Sequence, residues 1–176
     1  MRVHESQLNG TLNSSAEDAA DQGAHRLKVL VMYEDLATRQ RAKSLLGRLS
    51  AQFGTYVTLS QKLYRLDLLY LDSLREQAAL EGASADVIVL SVSRKTTLSL
   101  ADREWTTRWL DQKGDRPCLF CLLLGPEWDG RGSENTLMVE VENLISTRGV
   151  LFFCGTIETP FNGLESAVDS HQICLN

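Results

Sequence analysis

The stretch KVLVMYEDLATRQRAKSLL, Lys28 to Leu46, decides how this chain is read. It opens as a continuous apolar run and stops at two carboxylates, Glu34 and Asp35. An unbroken apolar run predicts a strand covered on both faces. The residues after it, from Leu36, place Ala42, Leu45, Leu46, Leu49 and Phe53 at helical spacing, with Gly54 as the stop. Strand, acidic turn and helix form one unit of an α/β protein, and the turn sits at the C-terminal tip of the strand.

The unit repeats along the chain. Residues 55–66 alternate weakly and carry polar groups, which predicts an edge strand. Ser73 and Glu76 have capping-box spacing, and the helix they open closes at Gly82. DVIVLSVS (86–93) is a β-branched apolar strand. Ser99 and Asp102 cap a helix through Trp105, Trp109 and Leu110 that ends at Gly114. The two Trp are expected to pack on the sheet. CLFCLLL (118–124) is another buried strand, and Ser133 caps a helix whose stripe is Leu137, Met138, Val141, Leu144 and Ile145. GVLFFCG (149–155) is the fifth strand. The expected fold is therefore a three-layer α/β domain with a five-stranded parallel sheet, flavodoxin-like or receiver-like, in the order 2-1-3-4-5. The domain spans 27–157. Residues 1–26 read as a flexible N-terminal tail, poor in large apolar groups. Residues 158–176 read as a C-terminal extension with a short last helix from Leu164 to Val168.

Composition narrows the function. The chain has 176 residues, 43% hydrophobic and 23% charged, with a formal net charge of −5. One domain with a real core fits that length. Lys and Arg are scattered, so no basic face for nucleic acid is expected. No apolar run is long enough for a membrane span, and Met1 to Ala24 lack the apolar core of a signal peptide. The expected location is cytoplasmic. Cys118 and Cys121 form a C-x-x-C inside an apolar strand, where positions three apart point to opposite faces. They read as buried core thiols rather than a redox or metal pair.

In a 2-1-3-4-5 sheet the crevice opens between the first and third strands. Its expected lining is Tyr33, Glu34 and Asp35 from one tip and Ser93, Arg94 and Lys95 from the other. A nucleotide or flavin phosphate wants converging backbone amides and no fixed negative charge. This turn has no glycine and two acids. A pair of unit charges roughly 4 Å apart interacts by about 4 kcal/mol at an effective dielectric near 20. No cofactor is expected here. Asp35 reads as the helix N-cap, and Glu34 as an ion-pair partner. As metal ligands Glu34 and Asp35 are weak candidates on their own, so no metal is assigned. All three His (His4, His25, His171) lie toward the ends of the chain, which leaves no Ser-His-acid or Cys-His arrangement within 27–157. Trp128, in the Gly-rich loop GPEWDGRGS, is a candidate interaction anchor at the rim of the crevice. Arg39, Arg41, Lys43 and Arg48 make the first helix basic, a solvated face or a docking surface for an acidic partner. LYRLDLLYL (63–71) is apolar and aromatic; with Tyr64 and Tyr70 exposed, that edge admits a homodimer.

The strand ending YED, followed by a helix in a five-fold β/α rhythm, resembles the receiver domain of bacterial response regulators over roughly residues 27–157. The resemblance implies an Mg²⁺ held by paired acids, an Asp phosphorylated at the end of the third strand, a Thr or Ser after the fourth and a Lys after the fifth. Only Glu34 and Asp35 match. Ser91 or Ser93 stands where the phosphoacceptor belongs, Asp86 lies at the wrong end of its strand, and LLLGP and CGTIE lack the hydroxyl and the Lys. YEDLAT, LYRLDLL and ADVIVLS are also similar to a set of uncharacterised bacterial proteins. Taken together these residues predict a pseudo-receiver: a non-enzymatic regulatory or protein-interaction module in bacterial signalling, with a protein partner and no phosphorylation. The alternative is a small-molecule-binding protein or enzyme using the same crevice, with Glu34 or Asp35 as base or metal ligand and Arg94 or Lys95 holding an anion.

Overall fold

A computed structural model describes residues 25–126 and 134–156. Strand β1 (His25–Tyr33) leads through α1 (Leu36–Phe53) to β2 (Val57–Arg65), and α2 (Asp72–Ser84) to β3 (Val87–Ser91). Then come α3 (Leu100–Lys113), β4 (Cys118–Leu124), α4 (Glu134–Ile145) and β5 (Val150–Thr156). Every ladder is parallel and the order is β2-β1-β3-β4-β5. This is the flavodoxin-like α/β architecture expected from the alternation of apolar runs and amphipathic segments. Residues 1–24, Trp128, Ser133 and the expected last helix lie outside the described residues. β1 begins at His25, two positions before the expected start of the domain.

The period of two along each strand divides the core. Leu30, Met32, Ile88, Leu90, Phe120 and Leu122 face a layer that includes Trp105, Trp109, Leu137 and Val141. Val29, Val31, Val89, Cys121 and Leu123 face Ala42 and Leu46 of α1. Both Trp are fully buried, and the Trp109 ring stacks on Phe120 at 6.2 Å. A large apolar side chain buried this way contributes about 2 kcal/mol. That exceeds a typical helix cap, so packing holds the helices and caps set where they start. Cys118 and Cys121 fall in opposite layers, as alternation requires. Burial pushes their thiols up to about 11 and about 12, and both are free.

Most helix ends obey their sequence signals. Asp35 caps α1 and Ser99 caps α3, each in a reciprocal capping box. Gly54 and Gly114 end those helices at positive φ. The second helix departs from expectation. It begins at Asp72, and Leu71 offers no side-chain cap, so Ser73 lies inside the helix. Arg75, buried at the start of α2, anchors this end instead: it donates to the Leu69 carbonyl at 2.9 Å and pairs with Asp72 and Glu104. Gly82 does not stop the helix, which runs on to Ser84. A Cβ at Gly82 would meet Trp109 Cβ at 3.1 Å and Leu30 Cδ2 at 3.3 Å, so the glycine permits close approach of α2 to α3 and β1. LYRLDLLYL leaves β2 at Arg65 and enters a 3-10 turn, Leu66–Tyr70. Leu66 and Leu69 are buried there, Tyr64 is half-buried against the core and Tyr70 is exposed. No helix among the described residues is long and apolar enough to cross a membrane.

Candidate functional site

The switch point lies where β1 and β3 end side by side, with Tyr33 opposite Ser91. The chain then diverges into α1 on one side and the β3–α3 loop (residues 92–99) on the other. Glu34 N–H donates to the Ser91 carbonyl at 3.2 Å, which extends the ladder by one bond. Asp35 follows as the N-cap. Its Oδ1 accepts the Thr38 N–H at 2.9 Å, and Thr38 Oγ1 accepts both the Glu34 and the Asp35 N–H. The backbone amides of Thr38 and Ala37 hold the Asp35 carboxyl below its ordinary value, with Thr38 the larger influence. The α1 terminus is therefore filled by a carboxylate of the protein itself. In flavodoxin-like sheets the flavin occupies this switch point. The residues here do not fit a flavin phosphate, because Asp35 sits on the amides that would receive it and carries the same charge.

The β3–α3 loop is held by carboxylates from three directions. Glu34 Oε2 accepts the N–H groups of Ser93 at 2.8 Å and Arg94 at 3.1 Å. Glu140 Oε2, from α4, accepts the Leu98 N–H at 2.9 Å. Asp102, 1% exposed, pairs with Lys95 Nζ at 2.7 Å and also receives the Ser99 N–H. A cation completes the clamp. Arg41 of α1 donates to the Val92 carbonyl at 3.0 Å and to Ser93 Oγ at 2.9 Å.

The predicted site residues thus divide. Tyr33, Glu34, Asp35, Ser93, Arg94 and Lys95 do gather at one edge of the sheet. Lys95, however, is committed to the buried Asp102, and Glu34 grips backbone rather than a cationic side chain. Glu34 and Asp35 turn to different partners. Among the described residues no three His, Cys, Asp or Glu side chains come together as a metal site. The Arg94 side chain is exposed and makes no ion pair or hydrogen bond among the described residues. Arg39 Cζ lies 6.0 Å from the Tyr33 ring centroid, and its buried Nε has no hydrogen-bond partner among the described residues. Arg39, Arg41, Asp102 and Glu140 are the positions that the sequence pattern leaves unassigned to the site. Capping spacing marks Asp102 only as a helix cap, and nothing in the spacing of Arg41 or Glu140 signals a contact more than forty positions away in the chain.

No protein-family model and no curated protein matches the sequence. Among solved structures, the chain is similar to an oxidoreductase from Corynebacterium diphtheriae. The TM-score is 0.51 at 17% identity, over 82% of this chain and 88% of that one. The Trp repressor binding protein of Bacillus subtilis aligns with a TM-score of 0.44 at 11% identity, over 74% of this chain and 85% of that one. At these identities what is shared is the fold. The expectation of a non-enzymatic signalling module is corrected by the first of these neighbours. That solved chain, similar to this one across most of its length, bears the name of an oxidoreductase, and the receiver resemblance finds no family model to support it. The physical reason lies in the paired acids, the one feature that matched a receiver: Asp35 caps α1 and Glu34 holds the β3–α3 loop, so both are structural.

Proposed function

We propose that this chain is a cytoplasmic small-molecule-binding protein or enzyme that takes an anionic ligand in the crevice between β1 and β3. The observation that carries this reading is the contrast within one loop. Residues 92–99 are fastened at Ser93, Arg94, Lys95, Leu98 and Ser99, while the Arg94 guanidinium is exposed and has no partner among the described residues. A fixed backbone lowers the cost of ordering on binding. An arginine presented from it suits a carboxylate or phosphate, which it can hold through two parallel hydrogen bonds. Arg39 over Tyr33 supplies a second cation at the same edge. In an enzyme of this design Glu34 acts through Oε1, the oxygen not used on the loop amides. The shared fold supports the place, since ligands of open α/β sheets bind beyond the carboxyl ends of the strands at the switch point. A thermal-shift screen of carboxylate and phosphate-ester metabolites tests it. At least one should raise Tm in the unmodified chain and lose that effect in Arg94→Ala, whose unliganded Tm stays unchanged. A screen without any shift, or a shift that survives Arg94→Ala, overturns the proposal.

A further inference from the structure

A cavity of about 320 Å³ lies at the opposite end of the sheet, where nothing described so far acts. Its position follows from strand register. His25 to Lys28 of β1 pair with Val57 to Ser60 of β2, whereas β3 joins β1 only at Val29. The β1–β2 ribbon therefore projects past β3, and the last turn of α2 forms the other wall of the cleft. Alternation puts Arg26 and Lys28 on the same face as Leu30, which packs in the α2 layer. Lys28 lies beside Ser60, and Leu30 beside Lys62. Neighbouring strands are about 5 Å apart, so these side chains can reach one ligand together.

The charges in this cleft are unbalanced. Arg26, Lys28 and Lys62 line it, with Glu81 of α2 as the one carboxylate among the described residues of its wall. Glu81 reaches Lys62 Nζ at 3.8 Å, a long contact between an exposed lysine and a half-buried glutamate. Asp86 lies close by, but its Oδ2 accepts the Lys28 backbone N–H at 2.8 Å. The side chains of Arg26 and Lys28 make no ion pair or hydrogen bond among the described residues. Three cations are gathered in this way in a chain whose formal net charge is −5.

We propose that this cleft binds a small dianion, a phosphate monoester, held by Arg26, Lys28 and Lys62 with the Ser60 hydroxyl as a further donor. Leu30 and Ala85 provide an apolar floor for the body of the ester. The volume is at the small end of ligand pockets, which limits the ligand to a compact metabolite. The site is separate from the switch-point crevice: the five steps of strand from Lys28 to Tyr33 span roughly 17 Å.

The test uses the full chain and two probes, inorganic phosphate and phenyl phosphate, against sodium chloride at matched ionic strength. Phosphate should raise Tm along a saturating curve, and phenyl phosphate should do so at lower concentration. Lys28→Gln and Arg26→Gln should each weaken the apparent affinity about tenfold, the loss expected for one charge-assisted hydrogen bond. Lys43→Gln on α1 should leave it unchanged. A linear rise shared with chloride and all variants overturns the site and leaves the cations as guards of the β2 edge. A response lost in Arg94→Ala but kept in Lys28→Gln overturns it too, and assigns the phosphate to the crevice. Two separate substitutions ensure that a folding defect in one does not obscure the result.

Discussion

Glu34 holds Arg94 by its backbone, not by its charge. Glu34 Oε2 accepts the Arg94 N–H at 3.1 Å together with the Ser93 N–H at 2.8 Å, and the guanidinium is left to solvent. Two consecutive amides converging on one oxygen form a small anion receptor, filled here by a residue of the neighbouring strand tip. Glu34→Ala strands both amides. It should cost about 2 kcal/mol in urea denaturation, in the range for hydrogen bonds to a charged acceptor. Glu34→Gln keeps an acceptor oxygen of the same length and should cost about half as much. Equal and negligible losses in both variants would show that the loop does not depend on this carboxylate.

The next residue behaves in the opposite way. Lys95 Nζ sits 2.7 Å from Asp102 Oδ2, with the Asp102 side chain 2% exposed. Removing one partner from a buried pair leaves a charge without compensation, at a cost of about 3 kcal/mol. Lys95→Met should therefore destabilise the fold strongly, whereas Arg94→Ala should change stability by less than about 0.5 kcal/mol. Parallel urea titrations of the two variants check the contrast. It also separates a structural cation from a ligand-facing one at adjacent positions.

This contrast shows what the sequence could and could not reveal. Buried strands declare themselves through unbroken apolar runs, and Asp35 and Ser99 declare helix starts through short-range spacing, because both signals are local. The order of the sheet follows from the alternation of such units. Partner choice at the crevice is not local. Glu34 binds backbone amides, which look the same at every residue. Arg41 belongs to a basic helix face until the packing of α1 brings it to Val92. Lys95 and Arg94 are indistinguishable as neighbouring cations until α3 places Asp102 beneath one of them. Gly82 and Ser73 mislead for a related reason: stop and cap chemistry predicts an end where tertiary packing continues the helix.

The Asp35 cap gives a pH dependence of definite sign. Its carboxyl titrates below the ordinary value of 3.8 because the Thr38 and Ala37 amides favour the charged form. A depressed folded value means that the contribution is fully present above the unfolded value and is lost as pH falls through the folded one. Asp35→Ala should thus cost about 1 kcal/mol at neutral pH, typical of an N-cap. The gap to the unmodified chain should narrow as pH drops below about 4. Thermal unfolding of both proteins from pH 7 to pH 3 checks this. A gap that stays constant across that range would mean that the charge of Asp35 plays no part in the cap.

Two glycines on helices separate propensity from packing. Gly47, exposed within α1, has nothing within 4 Å of the position a Cβ would take. Gly47→Ala should stabilise the chain by up to about 1 kcal/mol, the helix-propensity gain alone. Gly82→Ala carries the same gain, but its methyl would stand 3.1 Å from Trp109 Cβ and 3.3 Å from Leu30 Cδ2. Trp109 Cβ is tied to the α3 backbone, so the contact can be relieved only by moving α3 away from α2. Overpacking of this kind costs about 1–3 kcal/mol and outweighs the propensity gain. Gly82→Ala should therefore be destabilising, and the Trp fluorescence of the native state should change as Trp109 shifts against Phe120. Opposite signs for the two substitutions in one urea series are the expected result. If Gly82→Ala stabilised the chain as much as Gly47→Ala, the close contact between α2 and α3 would be wrong.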